Sequence, residues 1–138
     1  MNLKHKPVNA IEKPTSKYVL RPDEMASYSP ANHTGTKNTR LVSAAINGAQ
    51  YMEVVLGEVE KGAGVSTHAH PGMEQAQYFI EGEAEVIIDG VAYQARAGDL
   101  CFFPPDVFHS VRVTSERMKV LIIYSPPYAE NPDKVVRK

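Results

Sequence analysis

The chain has 138 residues, 43% of them apolar, which is enough for one cored domain and too few for two ordinary ones. Its 15 basic and 16 acidic side chains are scattered and nearly cancel, so there is no basic block to track a nucleic acid backbone. The opening MNLKHKPVNAIEKPTSKYVL lacks an apolar run of signal-peptide length and no later stretch approaches a membrane span, so a soluble, cytoplasmic protein is expected.

Taken in chain order, residues 1–37 are rich in Pro, Ser, Asn, Thr and Lys and read as an extended arm, with only YVL at 18–20 strand-like. His5 and His33 fall in this arm, where a solvated side chain is the expectation. From Arg40 a series of short β-runs follows: RLVSAAI, QYMEVVLGEVE, QAQYFIEGEAEVIID, VAYQA, DLCFF, HSVRV and MKVLIIY. None carries a sustained helical period. Turn formers separate them, at NGAQ (47–50), AGD (97–99) and above all Asp89-Gly90, the strongest hairpin signal. The single cysteine, Cys101, lies in the apolar LCFF and reads as a small core side chain. The tail, 126–138, is polar and broken by prolines, and is expected on the surface or across a partner. Short strands at this spacing predict an all-β sandwich or barrel over 38–125, with two sheets sharing one core.

Chemistry concentrates in THAHPGMEQAQYFIEGE. Residues i and i+2 of an extended chain project from the same face, so His68 and His70 offer two imidazole donors in one direction. A third donor is available at His109, which opens HSVRV after the proline turn of FFPPDVF. Rolled sheets bring such distant strands together.

These residues resemble the two motifs of the cupins, G-x5-H-x-H-x(3 or 4)-E-x6-G and G-x5-P-x-G-x2-H-x3-N. Here the first reads Gly62, His68, His70, Gln75, Gly82, and the second Gly98, Pro104, Asp106, His109. With their flanking strands they cover roughly residues 40–124. The resemblance implies a single jelly-roll, or double-stranded β-helix, barrel with an extended N-terminal arm. It also implies a divalent transition metal (Fe, Ni, Zn, Mn, Co or Cu) held by the histidines and a fourth donor. Asp106 stands where the motif prefers Gly, in a turn whose left-handed conformation Asp tolerates, and Val113 replaces the motif's Asn.

The fourth donor has two candidates. Counting back from Gly82 selects Gln75, whereas the shorter family spacing after His70 selects Glu74. A strand over EQAQYFI puts Gln75, Gln77 and Phe79 on one face and Glu74, Ala76, Tyr78 and Ile80 on the other. By the same parity Gln77 and Phe79 are expected in a substrate pocket, joined by Tyr93 and Phe108. Met52, Val54 and Phe102 or Phe103 are further lining candidates. Glu74, Gln77, Arg40 and the tyrosines are the polar groups available to orient a substrate, none of them marked as a catalytic base.

The resemblance implies a metal-dependent enzyme acting on a small oxygenated or carboxylated metabolite by isomerase, cyclase or lyase chemistry. Two alternatives stand beside it: a metal- or small-molecule-binding barrel without turnover, and a dioxygenase. A homodimer is expected, with KYVL a candidate to extend a neighbouring subunit's sheet.

Overall fold

A computed structural model describes residues 14–31 and 33–138, so His5 lies outside the described residues. In chain order the strands are β1 (Ser27–Tyr28), β2 (His33–Val42), β3 (Glu53–Ala69), β4 (Glu74–Glu81), β5 (Glu83–Ile88), β6 (Val91–Arg96), β7 (Leu100–Phe103), β8 (His109–Val113), β9 (Arg117–Ser125) and β10 (Val136–Arg137). A single helical turn, α1 (Ala44–Asn47), interrupts them between β2 and β3.

The strands form a nearly closed barrel of jelly-roll type, with pairing order β6-β5-β8-β3-β9-β4-β7 and β2 and β10 also laid on β3. β3 serves both halves of the roll. Its first half, Glu53–Glu60, pairs with β9 and its second half, from Gly64 to Ala69, with β8 and β10, while β2 runs along it from Val54 to Val65. Alternation along each strand fills the interior. Phe79 from β4, Phe103 from β7, Val55 from β3, Val86 from β5, Val113 from β8 and Val120 from β9 are the large side chains of one cluster. Each contributes roughly 1.5–3 kcal/mol by leaving water. Val113, the departure from the motif's Asn, is thus a core residue. Cys101 is half-buried and packs against the same cluster.

The turns follow the expected chemistry. Asp89 (φ 51°) and Gly90 (φ 80°) make a two-residue hairpin that brings Ile88 opposite Val91, both central residues left-handed as a type I′ turn requires. QAQYFIEGEAEVIID divides at Gly82, whose φ is 90° and where a Cβ would strike the Arg117 carbonyl.

Two expectations are corrected. RLVSAAI is a strand only as far as Val42; the Ser43 hydroxyl then accepts from the Ile46 N–H (3.1 Å), and left-handed Gly48 (φ 72°) closes the turn. A serine cap and a terminal glycine override the β-propensity between them. YVL is not a strand either: the Ser16 hydroxyl accepts from the N–H groups of Tyr18 (3.0 Å) and Val19 (3.2 Å), curling the segment into bends. Conversely, β2 begins at His33, inside the segment expected as arm, because its ladder with β3 recruits that residue.

One outer surface is apolar. Tyr78 and Ile80 on β4 are exposed, as are Leu100 and Phe102 on β7, and Tyr78 lies directly opposite Leu100.

Candidate metal centre

A β-bulge aims the first histidine inward. Val65 lies opposite Val111, yet His68 lies opposite His109, so β3 takes three steps where β8 takes two. The extra residue reverses parity, and Val65 and His68 both line the interior cavity despite their odd spacing. Gly64 permits the approach of β8, since a Cβ there would strike the Val111 carbonyl. His70 follows two residues later. Its carbonyl accepts from the N–H of Asp106 (3.2 Å), whose left-handed φ of 65° shapes the proline turn as expected of Asp at that position.

All three imidazoles are buried and converge. Ring centroids are 4.3 Å apart for His68 and His109, 4.9 Å for His68 and His70, and 5.8 Å for His70 and His109. One donor nitrogen from each lies within 4.8 Å of the others, the scale of a single shared ion. Each ring also places Nδ1 against a main-chain carbonyl: His68 on Ser66 (2.8 Å), His109 on Val107 (3.2 Å) and His70 on Lys134 (2.9 Å). A carbonyl can only accept, so each Nδ1 carries the proton and each neutral ring keeps its Nε2 lone pair free.

Burial keeps the rings neutral. Desolvation is the main cause that lowers His68 to about 3 and His109 to about 4, with the neighbouring histidines adding to it, and desolvation lowers His70 as well. Metal ligation requires this deprotonated state. Phe103 stacks on His109 with centroids 4.2 Å apart, and the His109 Nε2 is buried with no hydrogen-bond partner. An orphaned buried nitrogen beside two others with free lone pairs fits a divalent transition metal.

The two candidates for a fourth donor point in opposite directions. Gln75 is buried and lines the cavity, its Oε1 buried without a partner, whereas Glu74 is exposed on the outer face of β4. Gln77 follows on the inner face, also with an unpartnered Oε1.

The cavity holds about 620 Å3 of space between atoms, open solvent at its mouth included. Several pocket expectations need correction. Phe79 and Phe103 are sealed in the core, Phe108 does not reach the cavity, Phe102 is half-exposed on the outer face of β7, and Tyr93 is half-exposed on the edge strand β6, outside the cavity. Parity does not explain Tyr93: it shares a face with the buried Ala95 and lies opposite the buried Val86, but β6 ends the strand order and the side chain is left half-exposed there. Arg40 is committed to Glu53 (Nε to Oε2, 2.8 Å), a buried carboxylate, and also donates to the Tyr28 hydroxyl (3.1 Å).

In their place the ends of the chain supply polar lining. His33 from the supposed arm contributes a ring lowered to about 4, mainly by desolvation and then by Arg137. Tyr128, Glu130 and Arg137 come from the tail, which folds back to lay β10 on the end of β3. Arg137 pairs with His68 across the ladder, and directly opposed residues share a face, so its guanidinium lies on the histidine side. Glu130 is raised above the usual carboxylate range by burial, and burial likewise raises Tyr124 and Tyr128. Ala129 and Glu130 both adopt positive φ (51° and 54°), a turn held by the Ala129 N–H on Glu53 Oε1 (3.1 Å).

A jelly-roll barrel with three inward histidines, two of them in an H-x-H, defines the class. The Cupin domain family matches residues 55–124, and the chain belongs to it. A curated relative, "Polyketide synthase CurC" of Streptomyces cyaneus, is 30% identical over 77 residues; these make up 56% of this chain and 50% of that protein, so the chain spans about half the relative's length. An RmlC-like cupin from Shewanella frigidimarina superposes with a TM-score of 0.69 at 27% identity, covering 80% of this chain and 92% of its own. Streptomyces Pac13, described as a nucleoside dehydratase, gives 0.71 at 18% identity, covering 89% and 92%, a likeness of fold alone. Among the described residues no helix is long and apolar enough to cross a membrane.

Proposed function

We propose that the chain is a metal-dependent cupin enzyme that acts on a small oxygenated or carboxylated metabolite by non-redox lyase, isomerase or cyclase chemistry. The observation that carries this reading is the set of three neutral imidazoles, each fixed by a carbonyl at Nδ1 and with donor nitrogens within 4.8 Å of one another, beside a cavity lined by His68, His70 and Gln75, whose amide oxygen is unpartnered. His68, His70, His109 and Gln75 would hold the ion. Because those donors are all neutral, a bound divalent ion would keep its full charge to polarise a carbonyl or carboxylate oxygen. Imidazole and amide donors suit iron, nickel, zinc, manganese, cobalt or copper.

The other roles belong to the lining. Arg137, beside His68, is placed to bind a substrate carboxylate. Glu130, its proton affinity raised by burial, is suited to hold or accept a proton at the cavity wall. Tyr124 and Tyr128 remain protonated donors. The polyketide synthase name of CurC, 30% identical over 77 residues, agrees with a small oxygenated substrate.

The same proposal includes a cytoplasmic homodimer, its subunits joined through the apolar outer face of β4 and β7. Light scattering of the wild-type chain against Tyr78→Glu/Leu100→Glu tests the assembly: the mass should halve. To test the activity, metal-loaded protein is incubated with a panel of small hydroxy acids and sugar acids while mass spectrometry follows water loss and chromatography follows isomer formation. Turnover of a carboxylated substrate that Arg137→Met abolishes is the expected result. Saturable binding of panel members without turnover would replace the enzyme with a binding protein.

A further inference from the structure

The three histidines are not oriented in the same way. His68 and His109 each bond the carbonyl two residues earlier in their own chain segment, so the barrel that places them also fixes their rings. His70 bonds the carbonyl of Lys134, which is 64 residues away. That carbonyl sits in the tail between the turn at Ala129–Glu130 and β10, and three contacts hold it in place. Val136 and Arg137 pair with Ala69 and His68, the Lys138 N–H donates to the Thr67 carbonyl (3.1 Å), and Lys134 Nζ reaches the Pro127 carbonyl (2.8 Å) within the segment. Tyr128 packs its ring against His70 at 4.8 Å between centroids. The same segment carries Glu130 and Arg137 into the cavity wall.

We infer that the C-terminal segment, residues 128–138, is a clamp that orients His70, with the main-chain carbonyl of Lys134 as its positioning group and β10 as its fastening. Undocking the clamp frees the His70 ring to rotate and to change tautomer, while His68 and His109 keep theirs. Removing an outer-sphere partner of a ligating histidine lowers metal affinity about 10–100-fold. A ligand that touches Arg137 or Glu130 would favour the docked tail and tighten metal binding, and by linkage the metal would tighten the ligand. The consequence for metal rests on the proposed metal-dependent function; the orientation of the ring does not.

The test uses the full-length chain and Val136→Pro, which puts a residue without an N–H into the two-residue ladder. A second variant stops after Pro132 and so lacks the Lys134 carbonyl altogether. In chelator-treated protein, nitrogen-15 NMR reads the tautomer of each histidine; cobalt(II) titration reads affinity and the visible ligand-field spectrum. The full-length chain should show all three rings protonated at Nδ1. In both variants His70 alone should lose that state, with His68 and His109 unchanged as proof of an intact barrel, and cobalt affinity should fall about 10–100-fold with an altered spectrum. A full-length chain that takes no cobalt while His70 still loosens in the variants would overturn the metal reading and leave the clamp standing. The clamp is wrong if His70 keeps its tautomer and cobalt its affinity, or if all three histidines change together, since the tail would then merely support the fold.

Discussion

Two walls of the cavity hold polar side chains in different ways. On β4, Gln75 and Gln77 are set by ladders on both sides, with β7 and β9, and by the buried Phe79 beyond them. Tyr128, Glu130 and Arg137 hang instead on a short irregular segment tied to the barrel by β10, by the Ala129 N–H on Glu53 and by the Lys134 carbonyl on His70. The first wall cannot move without unfolding the sheet, whereas the second can detach at the cost of a few hydrogen bonds and the burial of Tyr128 and Val135. A scaffold of this design fixes candidate ligands rigidly and leaves substrate-facing charges on an adjustable segment.

Substitutions should separate the walls. Phe79→Ala strikes the rigid wall and should cost about 3–5 kcal/mol in urea unfolding, with tail and barrel lost together. Arg40→Met leaves the Glu53 carboxylate buried without its cation. Arg40 is 29% exposed, so the loss should be about 2 kcal/mol, below that for a fully buried pair. Hydrogen exchange should then quicken around Ala129 before it does in β4; uniform acceleration would mean that the tail is no separate unit.

Acid provides a third comparison. His33, on the cavity side of β2, is lowered to about 4 from an ordinary 6.5. The unfolded chain therefore binds the proton first, and stability contributed by the neutral ring is complete above pH 6.5 and is lost as the pH falls towards 4. His68 and His109 act in the same direction, so chelator-treated protein should lose stability steadily through this window. His33→Asn should remove about 1–2 kcal/mol of that loss, allowing for partial solvent screening. A stability profile flat from pH 6.5 to 4 would show that the rings are solvated after all. The smallest change belongs to Asp106→Gly, which relaxes a left-handed residue while raising unfolded-chain entropy; its effect should stay below about 1 kcal/mol.

The same contrast governs what could be read from sequence. β8 matches HSVRV residue for residue, and the inward parity of Gln75, Gln77 and Phe79 holds, because alternation in a half-buried strand is a local pattern. His68 was placed by motif spacing; the bulge that turns it inward has no local signal other than Gly64. Tyr93 was misplaced because alternation does not say how far the core extends along an edge strand: it shares the face of buried Ala95 and is still half-exposed. The tail was read as lying on the surface or across a partner, and His33 as solvated, because their order comes from pairing with β3, a contact invisible to composition. Charged residues flanked by prolines look like surface until a sheet edge captures them. Only the ends of a distant strand could have announced that capture.

The measurement that bears most directly on the metal centre is elemental analysis by plasma mass spectrometry of untagged protein purified without chelator, alongside His68→Ala and His109→Ala. About one transition-metal ion per chain is expected, with both variants losing it while keeping the β-rich circular dichroism of the parent. A folded wild-type chain that holds no metal, even after reconstitution with iron, nickel, zinc and manganese, would contradict the proposed centre and leave the three histidines as a buried hydrogen-bonding cluster.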